Sequence, residues 1–361
     1  MKNSDRRLEI DIAKGFAIIC MVLVHTIEYF YNKENPAAEA VVEFLGSPFA
    51  APVFMFAMGI GFNYTKNPSP MHFVKRGSQL LVMSYVFNLL VYAAPYFVLY
   101  LQTGDPEYLD RSAAEFASVD ILQFAALAML TFAVIKKLNL NSVQIAIYAA
   151  AVSLIGQFLT YFISPPEGVI SYISGILWGS GEMSYFPYCS WIAFPLVGYL
   201  FGRDLINCED KPGLYKKLAI VGIPLYFAMT AVAYFHRINF GQLTGDYQEA
   251  YYHMGLYGNV CMLAFVFGWI SICYLISLHI PKIIIAYFSR LCKNITRIYV
   301  VQYILIIYAY VFIAGEENNL SFIESILVFA VIFALSDMIA FLYSKVRARV
   351  RKFAAVPKEN K

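Results

Sequence analysis

The chain has 361 residues, 60% of them hydrophobic, 17% aromatic and only 14% charged, with a formal net charge of +3. That balance excludes a soluble domain of this length and predicts an all-α polytopic integral membrane protein. The basic residues are scattered at the ends of apolar segments and form no block suited to a phosphate backbone, so no nucleic-acid partner is expected.

The sequence opens MKNSDRRLEID and shows no small-residue cleavage site behind a short apolar core, so the first apolar segment is predicted to be a retained helix. A hydrocarbon core of about 30 Å takes a helix of about 20 residues. Ten segments meet or approach that length: 10 to 31, 47 to 64, 78 to 101, 120 to 136, 143 to 163, 186 to 202, 218 to 235, 256 to 279, 295 to 314 and 320 to 343. With the N terminus in the cytoplasm, odd connections are external and even ones internal. Of the 27 Lys and Arg, only Lys33, Arg111 and Arg237 then fall on external loops, as the positive-inside rule expects. Both termini are therefore expected to be cytoplasmic.

The first segment carries the strongest chemical signal. Lys14, His25 and Glu28 share one helical stripe, because eleven residues are close to three turns and His25 and Glu28 are an i, i+3 pair; Asp11 lies on roughly the same stripe. An ionisable group at the centre of a membrane helix costs about 2.5 to 3.5 kcal/mol on insertion scales, so such groups face a protein interior or a water-filled cavity. Lys14 and Asp11 lie near enough to the inner surface that a purely topogenic, snorkelling role stays open for them. His25 is about 16 Å further along the axis. Histidine accepts a proton near neutrality, and a carboxylate one turn away fixes its tautomer, so His25 is the candidate base and Glu28 its orienter. A cation at the inner end suits a phosphate-bearing donor, with Arg6, Arg7, Lys75 and Arg76 nearby.

Further along, the acidic connection TGDPEYLDRSAAEFASVD leads into the fourth segment. Asp120 and Gln123 at its end share the depth of His25; they either hydrogen-bond an acceptor or, for Asp120, cap the helix. The loops SPPEGVISYISGILWGSGEMSY and HRINFGQLTGDYQEAYYHMGLY, rich in Tyr, Gly and polar residues, are expected to form a lid or an acceptor-binding rim. PKIIIAYFSRLCKN is predicted to lie along the inner interface as a short amphipathic helix before the ninth span. Asn294, at the inner end of that span, either contacts a donor or caps the helix. Residues 344 to 361 form a basic cytoplasmic tail that suits anionic membrane lipid. The six cysteines lack a CxxC pair or a histidine at ligand spacing, so they are read as packing residues and no metal is expected. No internal repeat and no appended soluble domain is evident, so residues 1 to 361 are read as one domain.

The stretch RRLEIDIAKGFAIICMVLVH resembles the first-helix signature of the transmembrane acyltransferases, which comprise the acyltransferase 3 family and the related heparan-alpha-glucosaminide N-acetyltransferase family. In the acyltransferase 3 branch the pattern is an arginine, ten residues and a histidine; here it is Lys14, ten residues and His25. FAAPVFMFAMGIGF is similar to the family's second-span pattern, with Pro52 and Gly59 at the matching positions, and VDILQFAALAML resembles the start of an inner helix. FPYCSWIAFPLVGYLFGR and KNITRIYVVQYILI resemble later helices, with Gln302 standing where some relatives carry a histidine. The resemblance thus spans most of the chain.

It implies transfer of an acyl group, usually acetyl from acetyl-CoA, to a sugar or glycan hydroxyl or amine on the far side of a bacterial plasma membrane. His25 would be the catalytic histidine and Lys14 would take the donor-binding place of the arginine. A proton-coupled secondary transporter using the same stripe as a relay is the alternative. Against it, the sequence shows no paired segments interrupted by Gly or Pro in corresponding halves. The acceptor, O- or N-transfer, acyl chain length, direct transfer or an acyl-histidine, and the oligomeric state are left open by the sequence.

Overall fold

A computed structural model of the chain describes residues 7–66, 68–163, 169–179, 183–238 and 247–354. Arg6, parts of the two Tyr- and Gly-rich loops (164–168, 180–182 and 239–246) and the tail beyond 354 lie outside the described residues. The rest is helical. In chain order the helices are α1 Leu8–Phe30, α2 Pro36–Gly46, α3 Ala51–Phe62 and α4 Pro70–Phe87, then a π-helical segment, Asn88–Ala93, that leads into α5 Ala94–Thr103. Next come α6 Pro106–Ala117, α7 Ile121–Leu138, α8 Ser142–Phe162, α9 Val169–Leu177, α10 Tyr188–Trp191 and α11 Ala193–Asn207. The chain continues through α12 Lys211–His236, α13 Tyr247–Tyr252, α14 Leu256–His279, α15 Lys282–Phe312 and α16 Phe322–Ala354. Among the described residues, nine stretches are long and apolar enough to cross a membrane. The protein is an all-α, polytopic integral membrane protein.

Three expected segments differ in detail. The second span begins at Pro36 instead of near residue 47, because Asn35 accepts from the amides of Ala37 and Ala38 and Pro36 pre-sets the first turn. It then breaks at residues 47–50 before α3. The segment expected at 186 to 202 is two helices, α10 and α11, divided at Ile192. Pro195 has no N–H to offer the carbonyl of Trp191, and neither piece alone reaches membrane length. The separate interfacial helix expected before the ninth span is a correction: α15 runs unbroken for 31 residues. Lys282 to Phe312 contains neither Gly nor Pro, so nothing in it stops the helix.

Helix α1 is the centre of the bundle and packs against α2, α3, α14, α15 and α16. Small residues set its distance from its neighbours and those of the pair beside it. At the crossing of α3 and α11, a Cβ on Gly59 would lie 1.9 Å from the Pro195 carbonyl oxygen, and one on Gly198 would lie 2.0 Å from that of Phe56. The two backbones therefore touch through both glycines, which gives Gly59 a packing reason. One end of the bundle joins Asp11 of α1 to Ser289 of α15 (2.7 Å), and Arg297 of α15 to Ser344 of α16 (2.8 Å). The start of α1 and the end of α16 thus lie at this end, with Lys14. The opposite end joins Asn32 to the Leu320 carbonyl and Leu320 to the Phe30 carbonyl, each at 3.0 Å, and holds His25 and Glu28.

Candidate active site

Four elements meet at His25. Helix α1 supplies the imidazole, and α15 supplies Tyr299, Gln302 and Tyr303, whose i, i+3, i+4 spacing puts them on one helical face. The Tyr303 hydroxyl lies 3.0 Å from His25 Nε2, and the Gln302 Nε2 amide lies 3.0 Å from His25 Nδ1. Both ring nitrogens therefore have partners on α15. The Tyr303 ring also lies against the imidazole, with centroids 4.6 Å apart. Gln302 is fully buried, and its Oε1 has no hydrogen-bond partner.

Asp120 anchors the second half of the site. It is the N-cap of α7: its Oδ1 accepts from the Ile121 amide at 2.6 Å, and Gln123 Oε1 accepts from the Asp120 amide at 3.2 Å in a capping box. Asp120 Oδ2 also accepts from the hydroxyls of Tyr92 (2.9 Å) and Tyr299 (2.5 Å). Asp120 is therefore both the cap and a wall of the site. Gln123 is put to local use instead, since its Nε2 donates to the Ser118 carbonyl at 3.2 Å and the side chain is fully buried.

Tyr92 reaches Asp120 from the π-helical segment. Pro95 lacks the N–H that would close an α-helical bond to the Val91 carbonyl, and its ring crowds that carbonyl; the wider π winding relieves both. Asn88 at its start donates through Nδ2 to the carbonyls of Phe116 (3.0 Å) and Ser118 (2.8 Å), which ties this turn to the strand of chain leading into Asp120.

Two cavities flank this network. The first is lined by His25, Glu28, Glu43, Asp120, Tyr251 and Tyr252 among others. The second is lined by Lys14, Leu80, Met129 and Thr296 among others. Met21, Phe54, Ile121 and Tyr299 line both, so the two lie back to back across these four side chains, with Lys14 on one side and His25 on the other. Glu28 lines the His25 cavity one turn beyond the imidazole.

The remaining cations expected near a donor are dispersed. Arg7 donates through Nε to Tyr64 Oη (3.1 Å) and through Nη2 to the Leu205 carbonyl (3.2 Å), and its Nη1 is buried without a partner. Lys75 and Arg76 are exposed on α4 and line neither cavity. Asn294 is buried against α16, where its Oδ1 accepts from Arg297 (2.7 Å) and Ser344 (2.6 Å). It is neither a helix cap nor part of the Lys14 cavity. Among the described residues, no group of three or more His, Cys, Asp or Glu is placed to hold a metal ion.

Beyond the membrane spans, α6 packs on α5 and on the π-helical segment that carries Tyr92. Arg111 stacks on the Tyr96 ring at 4.3 Å and pairs with Glu316 at 2.7 Å. Burial pushes the neighbouring Glu115 carboxyl up to about 7, against the pull of the Arg111 guanidinium.

A family model described as an acyltransferase domain matches residues 7–343. The chain belongs to the acyltransferase 3 family. No curated protein and no solved structure matches it. The match runs from Arg7 to Tyr343 and so takes in every group of the His25 network. This acyltransferase 3 protein is accordingly a membrane acyltransferase.

Sequence reasoning missed Tyr92, Tyr299 and Tyr303, and noted Gln302 only for its position. The signal was present in YVVQY, where three hydrogen-bonding side chains share one face of an otherwise apolar run. For Tyr92 no such signal exists, because an α-helical reading of NLLVYAAP turns it elsewhere.

Proposed function

We propose that the protein moves an acyl group, in the first instance acetyl, from a CoA thioester to a hydroxyl or amine of a sugar or glycan on the opposite side of the membrane. The observation that carries this reading is the pair of adjoining cavities, one lined by Lys14 and the other by His25, with only Met21, Phe54, Ile121 and Tyr299 shared between them. The distribution of Lys and Arg supports a cytoplasmic Lys14 end, and on this reading the donor enters there and the acceptor approaches His25 from outside. Lys14 and His25 are about 16 Å apart along the helix, a gap suited to an extended pantetheine arm.

The chemistry then follows from position. The acceptor O–H or N–H gives its proton to His25 Nε2 as its heteroatom attacks the thioester carbonyl. The tetrahedral oxyanion collapses, the C–S bond breaks, and the leaving thiolate takes the proton back from the imidazolium. For Nε2 to be the base, Nδ1 must keep its hydrogen and donate it. As placed, Gln302 donates its amide N–H to Nδ1; a half-turn of that amide brings the unpartnered Oε1 to the same place and admits the Nδ1–H tautomer. Glu28 lies where it can stabilise the imidazolium or bind the acceptor. Asp120, held by two tyrosines, contributes a fixed negative wall to the same cavity.

The test uses the full-length protein in proteoliposomes with labelled acetyl-CoA. Wild type should bind the donor and release CoA slowly without acceptor and faster with amino sugars or sugar alcohols. His25→Ala should bind but not turn over. A protein that fails to bind the thioester, yet takes up solute when a pH gradient is imposed, overturns the reading.

A further inference from the structure

The face of α15 that carries Asn294 looks away from the Lys14 cavity. Arg290, Lys293, Asn294 and Arg297 of α15, with Ser344 and Arg347 of α16, line a separate, open cleft. Ile295, Thr296 and Tyr299 line the Lys14 cavity from the opposite side of the same helix. Helix α15 therefore stands between the two.

The cleft carries surplus positive charge. Arg290 is paired with Asp337 at 2.5 Å and lies over the rings of Tyr287 and Phe341. Arg297 places Nη1 on two neutral oxygens, those of Asn294 and Ser344, and stacks on Tyr343. Lys293 and Arg347 have no ion-pair partner among the described residues. Ser289, on the floor, donates to Asp11. Four cations thus face two carboxylates, Asp337 and Asp11.

Depth in the membrane supplies an independent argument. Counting about 20 residues, one hydrocarbon thickness, back from Phe312 on α15 reaches about Cys292, and counting forward from Phe322 on α16 reaches about Leu342. Both counts put the cleft at the level of the lipid phosphates. Topogenic charge alone needs only solvated side chains, whereas here Asn294 is buried and Arg297 is turned inward into an assembled polar cluster. Beside the cleft, Leu342 and Val346 of α16 are exposed and offer an apolar surface for acyl chains.

We propose that this cleft binds the phosphate of an anionic phospholipid headgroup from the leaflet at the Lys14 end. Guanidinium forks take the phosphate oxygens and Lys293 supplies a point charge. The experiment is native mass spectrometry of the full-length, delipidated protein titrated with phosphatidylglycerol. The double variant Lys293→Gln, Arg347→Gln should weaken binding roughly thirtyfold. The control Lys216→Gln, Lys217→Gln, which removes two exposed charges from α12, should bind as wild type does. Three outcomes overturn the proposal: the first double variant binding normally, the control losing as much, or phosphatidylcholine binding equally well. Displacement by inorganic phosphate, or by adenosine 3′,5′-bisphosphate as the donor's phosphate fragment, would assign the cleft to a free anion instead of a lipid.

Discussion

The two cavities on either side of Met21 and Tyr299 are made of opposite materials. The His25 cavity has Glu28, Glu39, Glu43 and Asp120 in its walls, with Lys33 near Glu39 at 3.7 Å, and a rim of tyrosines. The Lys14 cavity is walled by Met21, Met55, Met58 and Met129 with Leu and Phe, and Lys14 is the single charged side chain among the described residues lining it. Carboxylates and tyrosines suit a polyhydroxylated or amine-bearing acceptor, whereas methionines adapt their shape to a thin flexible arm. The difference teaches that one helix, α1, serves two solvents: a polar pocket at one end and an apolar conduit at the other. His25 lies on the polar side of the wall where they meet.

The contrast can be broken most severely at that meeting point. His25→Ala should lower the transfer rate by about 10²- to 10⁴-fold with donor affinity retained, measured as single-turnover CoA release. Gln302→Ala should cost roughly thirtyfold in kcat with little change in KM, and should shift the pH profile, because the imidazole stays but its tautomer is no longer held. Were Gln302 merely a packing residue, the profile would keep its shape. Lys14→Ala should raise the donor KM roughly tenfold and leave the acceptor KM alone, with Lys14→Arg restoring most of it. Equal effects on both KM values would erase the distinction between the cavities. The smallest effect concerns Glu115. A carboxyl raised in the folded protein contributes stability that is full below its unfolded pKa of about 4.3 and is lost as pH rises through about 7. The Tm of wild type relative to Glu115→Gln should therefore fall between about pH 4 and pH 7 and level off above that.

The separation of Lys14 from His25 was legible because helical rise alone determines it, and the capping role of Asp120 because its side chain needs only local amides. The partners of His25 were not. Gln302 and Tyr303 are 277 and 278 residues away, and no periodicity within α15 says which helix it meets. In α14 and α3, apolar on every side, the buried face cannot be told from the lipid-facing one by pattern. The continuous α15 was hidden for the opposite reason: its charged first half mimics an interfacial segment, and only the absence of Gly and Pro argues otherwise. Arg7, Lys75 and Arg76 were grouped by charge alone, which carries no information on direction.

The π-helical segment has a bearing on how such a site is acquired. Six residues, Asn88 to Ala93, are wound more widely than the α-helix on either side. One residue corresponds to about 100° of rotation and 1.5 Å of rise in an α-helix. A single inserted codon therefore suffices to swing Tyr92 from one flank of the helix to another while the ends of the span hardly move. The tyrosine's hold on Asp120 therefore hangs on one residue's worth of winding, and a single deletion within this segment would erase it.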